Sequence, residues 1–216
     1  MDFSVARRNM VDNQIRPNKV TSLSLLQALL DVPRERFVPE ATRDVAYVDD
    51  DVPVGGNRWL MEPMLFARLV QSAEIEAADV VLDVGCVTGY GPAVLSRLSG
   101  TVVALEQDAA LARAAGANVE ALGIDNVALV EGTLTAGCPA QAPFNVILLE
   151  GAVHDVPAAI TDQLAEGGRL VGVVDKGGAG QAVLIMRRNG VLSRRVLFDA
   201  ATPRLPGFTP QPSFVF

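Results

Sequence analysis

The sequence predicts a doubly wound α/β domain whose mostly parallel sheet ends in an antiparallel hairpin, and three observations predict it. First, "DVVLDVG", "TVVALE", "NVALVEG" and "FNVILLEG" are short, β-branched, near-continuous apolar runs, the pattern of strands buried on both faces. Second, "YGPAVLSRLS", "DAALARAAGANVEALG" and "VPAAITDQLAEGG" lie between them, carry helix formers and close on Ser-Gly or Gly, so strands and helices alternate. Third, "QAVLIMRRNGVLSRRVLF" sets Asn189-Gly190 between two strand-like runs, the signal of a type I′ hairpin. The fold expected is Rossmann-like.

The elements before residue 77 follow a different pattern. In "VTSLSLLQALLDVP" the leucines recur at helical spacing, Thr21 or Ser22 stands where a cap belongs, and Pro33 stops the run. "AYVDDDVPVGGNRW" is extended and rich in turn residues, and "EPMLFARLVQSAE" resumes a helical period with Pro63 early. Residues 1–76 therefore read as a helical lead-in with a loop that meets a ligand, residues 77–216 as the core, and the whole 1–216 as one domain. At 216 residues such a domain buries roughly 70% of its unfolded surface. "DKGGAGQ" reads as a mobile loop.

Bulk properties exclude several classes. No apolar run reaches the roughly 20 residues of a membrane span, and the start, "MDFSVARRNMVDNQIRP", has no apolar stretch behind its arginines. A net charge of −7 argues against nucleic acid or an anionic membrane as partner. The two cysteines, Cys86 and Cys138, are expected as reduced thiols of a cytoplasmic protein; they have no metal-ligating companions at useful spacing.

The chemistry concentrates at strand ends. In "VLDVGCVTGYGPAVL", Asp83 closes a strand, Gly85 and Gly89 bracket a tight turn, Thr88 stands where it would help cap a helix, and that helix begins near Tyr90. A nucleotide-like ligand can approach bare backbone there. Glu106 ends the next strand 21 positions after Gly85, the offset at which an acid holds a ribose hydroxyl pair. Glu131 and Glu150 end the third and fourth strands, so acids line one sheet edge, the edge where open α/β folds bind ligands.

With these segments in view, the chain resembles the class I methyltransferases that use S-adenosylmethionine, and more narrowly the protein-L-isoaspartate O-methyltransferase family. The resemblance rests on "MVDNQI", "LLQALLDVPRERFVPE", "AYVDDDVPVG", "PMLFA", "LDVGCVTGYGPAVLSRL", "VALE", "NVALVEGT" and "QLAEGGRLVGVV". It implies a seven-stranded sheet, S-adenosylmethionine as cofactor, and L-isoaspartyl residues of damaged proteins as substrate. It also implies that Asp83, Gly85, Cys86 and Gly89 lie on the cofactor, that Glu106 holds its ribose and that Glu131 sits beside its adenine.

Two departures stand out. Val87 occupies the place of the family's third glycine, where a β-branched residue disfavours positive φ and adds volume beside the ligand. Aligned on Pro63, the family's hydroxyl-bearing Thr-Ile-Ser motif becomes Trp59, Leu60 and Met61, followed by Glu62, and Glu150 replaces the threonine after the fourth strand. Trp59, Met61, Glu62 and Glu150 are the candidate substrate contacts, and no residue is singled out as catalytic. If Glu62 and Glu150 face the reacting methyl group, like charge disfavours a carboxylate acceptor by roughly 3 kcal/mol each at about 5 Å. A neutral acceptor with one Glu as base is then the alternative, and a non-catalytic, cofactor-binding member is another. For Glu62 a solvated place at a helix N-terminus serves equally well. His154 reads as a surface-loop residue.

Overall fold

The computed structural model describes residues 1–208, so the last eight residues of the expected 1–216 domain lie outside the described chain. The chain opens with α1 (Phe3–Met10), whose first turn is capped by Asp2 Oδ1 accepting from the backbone of Ser4 and Val5. It continues through a wider turn (Val11–Ile15) into α2 (Leu23–Asp31). Of the two candidate caps for α2 it is Ser22 that accepts, from the Leu25 amide. The helix stops at Val32, which is extended at φ −87°, ψ 117°, because a residue before proline is driven out of the helical region.

A short hairpin follows, β1 (Val52–Gly55) against β2 (Arg58–Leu60), turned at Gly55, Gly56 and Asn57, all at positive φ. Helix α3 (Pro63–Ser72) begins with Pro63 in its first turn. The core then runs β3 (Val80–Val84), α4 (Tyr90–Leu95), β4 (Thr101–Glu106), α5 (Ala109–Ala121), β5 (Val127–Glu131), β6 (Phe144–Val153), α6 (Ala158–Thr161), β7 (Leu164–Val174), β8 (Gln181–Arg188) and β9 (Val191–Asp199). The seven core strands form one sheet in the order β5-β4-β3-β6-β7-β8-β9. β5, β4, β3, β6 and β7 are parallel, and β8 and β9 are antiparallel. The doubly wound, mostly parallel sheet with an antiparallel end is the fold the sequence predicts. Asn189 and Gly190 turn the last hairpin at φ 52° and 73°, as a type I′ turn requires.

Alternation along the strands sends side chains into two apolar layers. Val81, Val102, Val146 and Leu148 pack with the lead-in helices on one face. Leu82, Val84, Leu105, Ile147 and Leu149 pack on the other, with Ile160, Leu164 and two residues from the end of the described chain, Leu205 and Phe208. The expected helices after β3 and β6 are shorter than their patterns; α6 keeps four residues, since β7 already begins at Leu164.

The topology decides where a ligand can bind. After β3 the chain winds outward through β4 and β5, then crosses back to place β6 beside β3. The carboxyl ends of β3 and β6 thus flank the topological switch point, the crevice where open α/β sheets take their ligands.

Candidate active site

The turn after β3 packs tightly. Residues 81–90 are all buried, Gly85 and Gly89 sit at φ 86° and 96°, and Gly89 begins α4 with its Cα face against Ala115, 3.1 Å from where a Cβ would lie. Thr88 does not cap the helix as expected: its hydroxyl donates to the Phe37 carbonyl, which ties the turn to the lead-in. Val87 is fully buried and adopts φ 44°. A β-branched residue held there stores on the order of 1 to 2 kcal/mol of backbone strain. Burial of its side chain contributes about as much in the other direction. Val87→Gly is therefore expected to shift stability by no more than about 1 kcal/mol in urea unfolding, well below the cost of emptying an unstrained core position. A loss of about 3 kcal/mol or more would refute the strain.

Glu106, at the end of β4, is completely buried, and its carboxylate accepts four hydrogen bonds. Oε2 accepts from the Val87 amide at 3.0 Å, and Oε1 accepts from Gln107 at 2.8 Å and Asp108 at 3.0 Å. Oε1 also accepts from Arg58 Nη1 at 2.6 Å. Arg58 is only 4% exposed and its Nη2 donates to the Gly85 carbonyl at 3.0 Å. The cation comes from β2, whose alternation turns Arg58 and Leu60 inward and leaves Trp59 between them half-buried.

At the switch point Asp83 and Glu150 crowd the same spot above Gly91, where an added Cβ would lie 1.6 Å from Glu150 Oε1 and 2.8 Å from Asp83 Oδ2. Both side chains are buried, and neither Asp83 oxygen nor Glu150 Oε1 has a donor from the surrounding residues. Two acceptors in contact need a proton between them. Burial first, then the neighbouring Glu150, push the Asp83 carboxyl far up, so Asp83 keeps the proton and donates. Glu150 is pushed up to about 7 by burial, against the bond from Asp83 and the pull of Arg34 and Arg58. Arg34 is fully buried over the Tyr90 ring, with Nε donating to the Ala46 carbonyl and Nη2 to the Met61 carbonyl, both at 2.7 Å. The interior thus balances two guanidiniums against Glu106 and Glu150, with Asp83 neutral.

The profile of a family described as "Protein-L-isoaspartate(D-aspartate) O-methyltransferase" matches residues 5–200, the lead-in included. The chain belongs to this family. It is 36% identical over 197 residues to the protein-L-isoaspartate O-methyltransferase of Koribacter versatilis, covering 91% of this chain and 89% of that one. With its counterpart in Roseiflexus sp. it shares 40% identity over 190 residues, 88% of this chain and 86% of the other. A solved protein-L-isoaspartate O-methyltransferase superposes with a TM-score of 0.82 at 26% identity, covering 93% of this chain and 66% of that chain. A Plasmodium falciparum structure titled as a complex with S-adenosyl-L-homocysteine agrees in fold, with a TM-score of 0.78 at 19% identity over 95% of this chain and 98% of that one. The resemblance read from the motifs is borne out at the level of the family.

Set against the family's pattern, the loop before α3 is less a substrate surface than its position suggests. Leu60 and Met61 are 1% and 2% exposed and belong to the core; Met61 meets the site only through its carbonyl on Arg34. Trp59 and Glu62 remain half-buried at the surface. The N-terminus of α3 is served by Asp51, which accepts from the Glu62 amide, and by Asp49, which accepts from the Met64 amide. Glu62 is thus an acid among acids: burial first, then Asp49, Asp51 and Asp50, push its carboxyl up to about 7. Cys86 lies buried in a small cluster with Ala104 and Ala115. Glu131 is exposed at the end of β5, paired across the strands with Glu106. Of the residues singled out in the sequence, Asp83 meets Glu150, and Arg58 joins Glu106 to the Gly85 carbonyl, while Cys86 and Gly89 pack on Ala115, Glu131 is exposed at the end of β5 and Met61 lies in the core. Sequence reasoning missed Arg34, Arg58 and Leu205. For Arg58 one signal was available: its period-two spacing with Leu60 places a cation on the buried face of an otherwise apolar strand.

Proposed function

We propose that the chain is an S-adenosylmethionine-dependent methyltransferase that esterifies the carboxylate of L-isoaspartyl residues in damaged proteins, a repair activity. The observation that carries this reading is the extent of the family match: it runs over residues 5–200, so it includes the lead-in peculiar to the family as well as the core. The acceptor is a carboxylate with a reference pKa near 4, already ionised at neutral pH, so no general base is needed. Orientation of the reacting groups is the main contribution the protein makes, worth roughly 7 to 11 kcal/mol when well arranged.

Of the acids that set the sequence against an anionic acceptor, Glu150 is buried against Asp83 and faces Arg34 and Arg58, which offset its charge. Glu62 stands among Asp49, Asp50 and Asp51 at the surface. A cytoplasmic location belongs to the same reading, supported by the two free, buried thiols, Cys86 and Cys138. Among the described residues no helix is long and apolar enough to cross a membrane, and the net charge of −7 supports leaving nucleic acid out of the partners.

Arg58 takes one acceptor direction of Glu106 that a ribose would use, and the space bounded by Arg58, Trp59, Glu150 and Thr202–Leu205 amounts to about 10 Å³. Ligand sites of this kind need roughly 300 Å³ or more.

Transfer of labelled methyl from S-adenosylmethionine to an isoaspartyl peptide tests the reading, with the normal aspartyl peptide as control. Base-labile label is expected on the isoaspartyl peptide alone. Label on neither peptide, under conditions where S-adenosylhomocysteine binds, would overturn it.

A further inference from the structure

The mismatch between the crevice and its expected ligand has a specific cause. Three groups seal the backbone turn that ought to be bare. Arg58 Nη1 lies on Glu106 and its Nη2 on the Gly85 carbonyl. The third is Leu205: a Cβ built on Gly85 would stand 2.7 Å from Leu205 Cδ2 and 3.0 Å from Arg58 Nη2. Leu205 is held in place by the strap that follows β9. The Leu205 amide donates to the Ala152 carbonyl and the Ala152 amide to the Pro203 carbonyl, both at 2.9 Å. Arg204 Nη2 pairs with Asp175 at 2.9 Å, and Thr202 Oγ1 donates to Asp51 at 3.1 Å. Leu205 and Phe208 are 2% and 4% exposed.

We infer that Arg58 is an internal competitor for the ribose of the cofactor: the nucleoside enters by displacing the guanidinium from Glu106, and this exchange releases the β1–β2 hairpin. The inference rests on the methyltransferase reading and adds to it an order of events. A ribose offers two hydroxyl donors at the position where Arg58 offers one N–H, so the carboxylate stays paired throughout the exchange. The three backbone amides from Val87, Gln107 and Asp108 hold Glu106 in either state. Because Trp59 is the neighbour of Arg58 on β2 and lines the same space as Glu150, the segment that swings out is one that borders the crevice. Cofactor binding therefore precedes and prepares acceptor binding, and a free enzyme is shut to both.

The chain contains a single tryptophan, Trp59, which makes the movement directly observable. Binding of S-adenosylhomocysteine is measured by titration calorimetry for the wild type, Arg58→Met and Arg58→Lys, and Trp59 emission is recorded in parallel. Arg58→Met is expected to bind 10- to 100-fold more tightly than wild type, with Arg58→Lys, which keeps a cation, in between. In the wild type Trp59 emission should shift on saturation, and amides 55–60 should exchange faster with solvent deuterium. Equal or weaker binding by Arg58→Met overturns the inference, and so does a Trp59 signal indifferent to ligand. If those results come with methyl transfer to the isoaspartyl peptide, the methyltransferase reading stands and only the latch falls. If neither wild type nor Arg58→Met binds at millimolar ligand, both fall together.

Discussion

Replacing Glu106 by Ala is expected to cost about 3 to 5 kcal/mol of folding stability, more than any other single substitution in the crevice. The reason is what it leaves behind. Arg58 is 4% exposed and, among the described residues, its Nη1 has no other acceptor than Glu106. Three amides, from Val87, Gln107 and Asp108, lose their acceptor in the same stroke. An uncompensated buried cation is costly, and each orphaned donor adds to it. The partner substitution is asymmetric: Arg58→Met leaves the Glu106 carboxylate still held by three N–H donors, so its cost should be about 1 to 2 kcal/mol. The double variant Glu106→Ala/Arg58→Met should be markedly more stable than the sum of the two singles, because the cation that Glu106→Ala strands is then gone. Urea unfolding of the four proteins at one pH measures all of this. Were Glu106→Ala no more harmful than Arg58→Met, the ion pair would not be the element that holds the turn.

Glu150→Gln is expected to stabilise the protein at pH 8, by on the order of 2 kcal/mol, and to flatten its stability profile below neutrality. Glu150 titrates at about 7 in the folded state because burial disfavours its charge, against the bond from Asp83, and near 4.3 when unfolded. The folded protein therefore holds a proton that the unfolded chain has released throughout this window. Stability is greatest on the acid side and falls as pH rises from about 4.5 to about 7, the reverse of the usual carboxylate that is paired in the native state. Asp83, raised further and for the same first cause, adds to the slope above that window. Glu62 shifts in the same direction. It is half-exposed, so solvent screening keeps its share well under about 1 kcal/mol. Thermal melts of wild type and Glu150→Gln between pH 4.5 and 8.5 give the result. A variant less stable than wild type at pH 8 would show that the charge on Glu150, facing Arg34 and Arg58, is a net stabiliser and that burial is the smaller effect.

Both results bear on how the acids at the sheet edge should be understood. In the sequence they form one class: Glu106, Glu131 and Glu150 each end a strand, and Asp83 sits just before a turn. In the folded protein they separate into three. Glu106 is ion-paired with Arg58, Asp83 and Glu150 share a proton, and Glu131 is in solvent. Strand position predicts that an acid reaches the edge. It does not reveal whether that edge is wet, because this depends on segments far along the chain that cover it.

The loop containing Met61 shows the same boundary. Its glycines, its proline and the helix after it are legible, since each is a local preference of backbone conformation. That Leu60 and Met61 belong to the core while Trp59 does not was half legible, through the alternation that any strand imposes. That Arg34 would reach the Met61 carbonyl from 27 residues away was not legible at all.

What the sequence determined by itself is whatever depends on short-range pattern: the buried parallel strands, the tight glycine turn after β3, the acid at the end of β4, the type I′ turn at Asn189-Gly190, and the family to which these belong. Tertiary structure alone decided the state of the crevice. The winding order puts β6 beside β3 although β4 and β5 intervene in sequence, and only then do Asp83 and Glu150 meet and require a common proton. The lead-in hairpin brings Arg58 to Glu106 across 48 residues, and the strap after β9 lays Leu205 over Gly85. Periodicity encodes which face of an element is apolar, but not which distant element that face will meet, and it is those meetings that close the site.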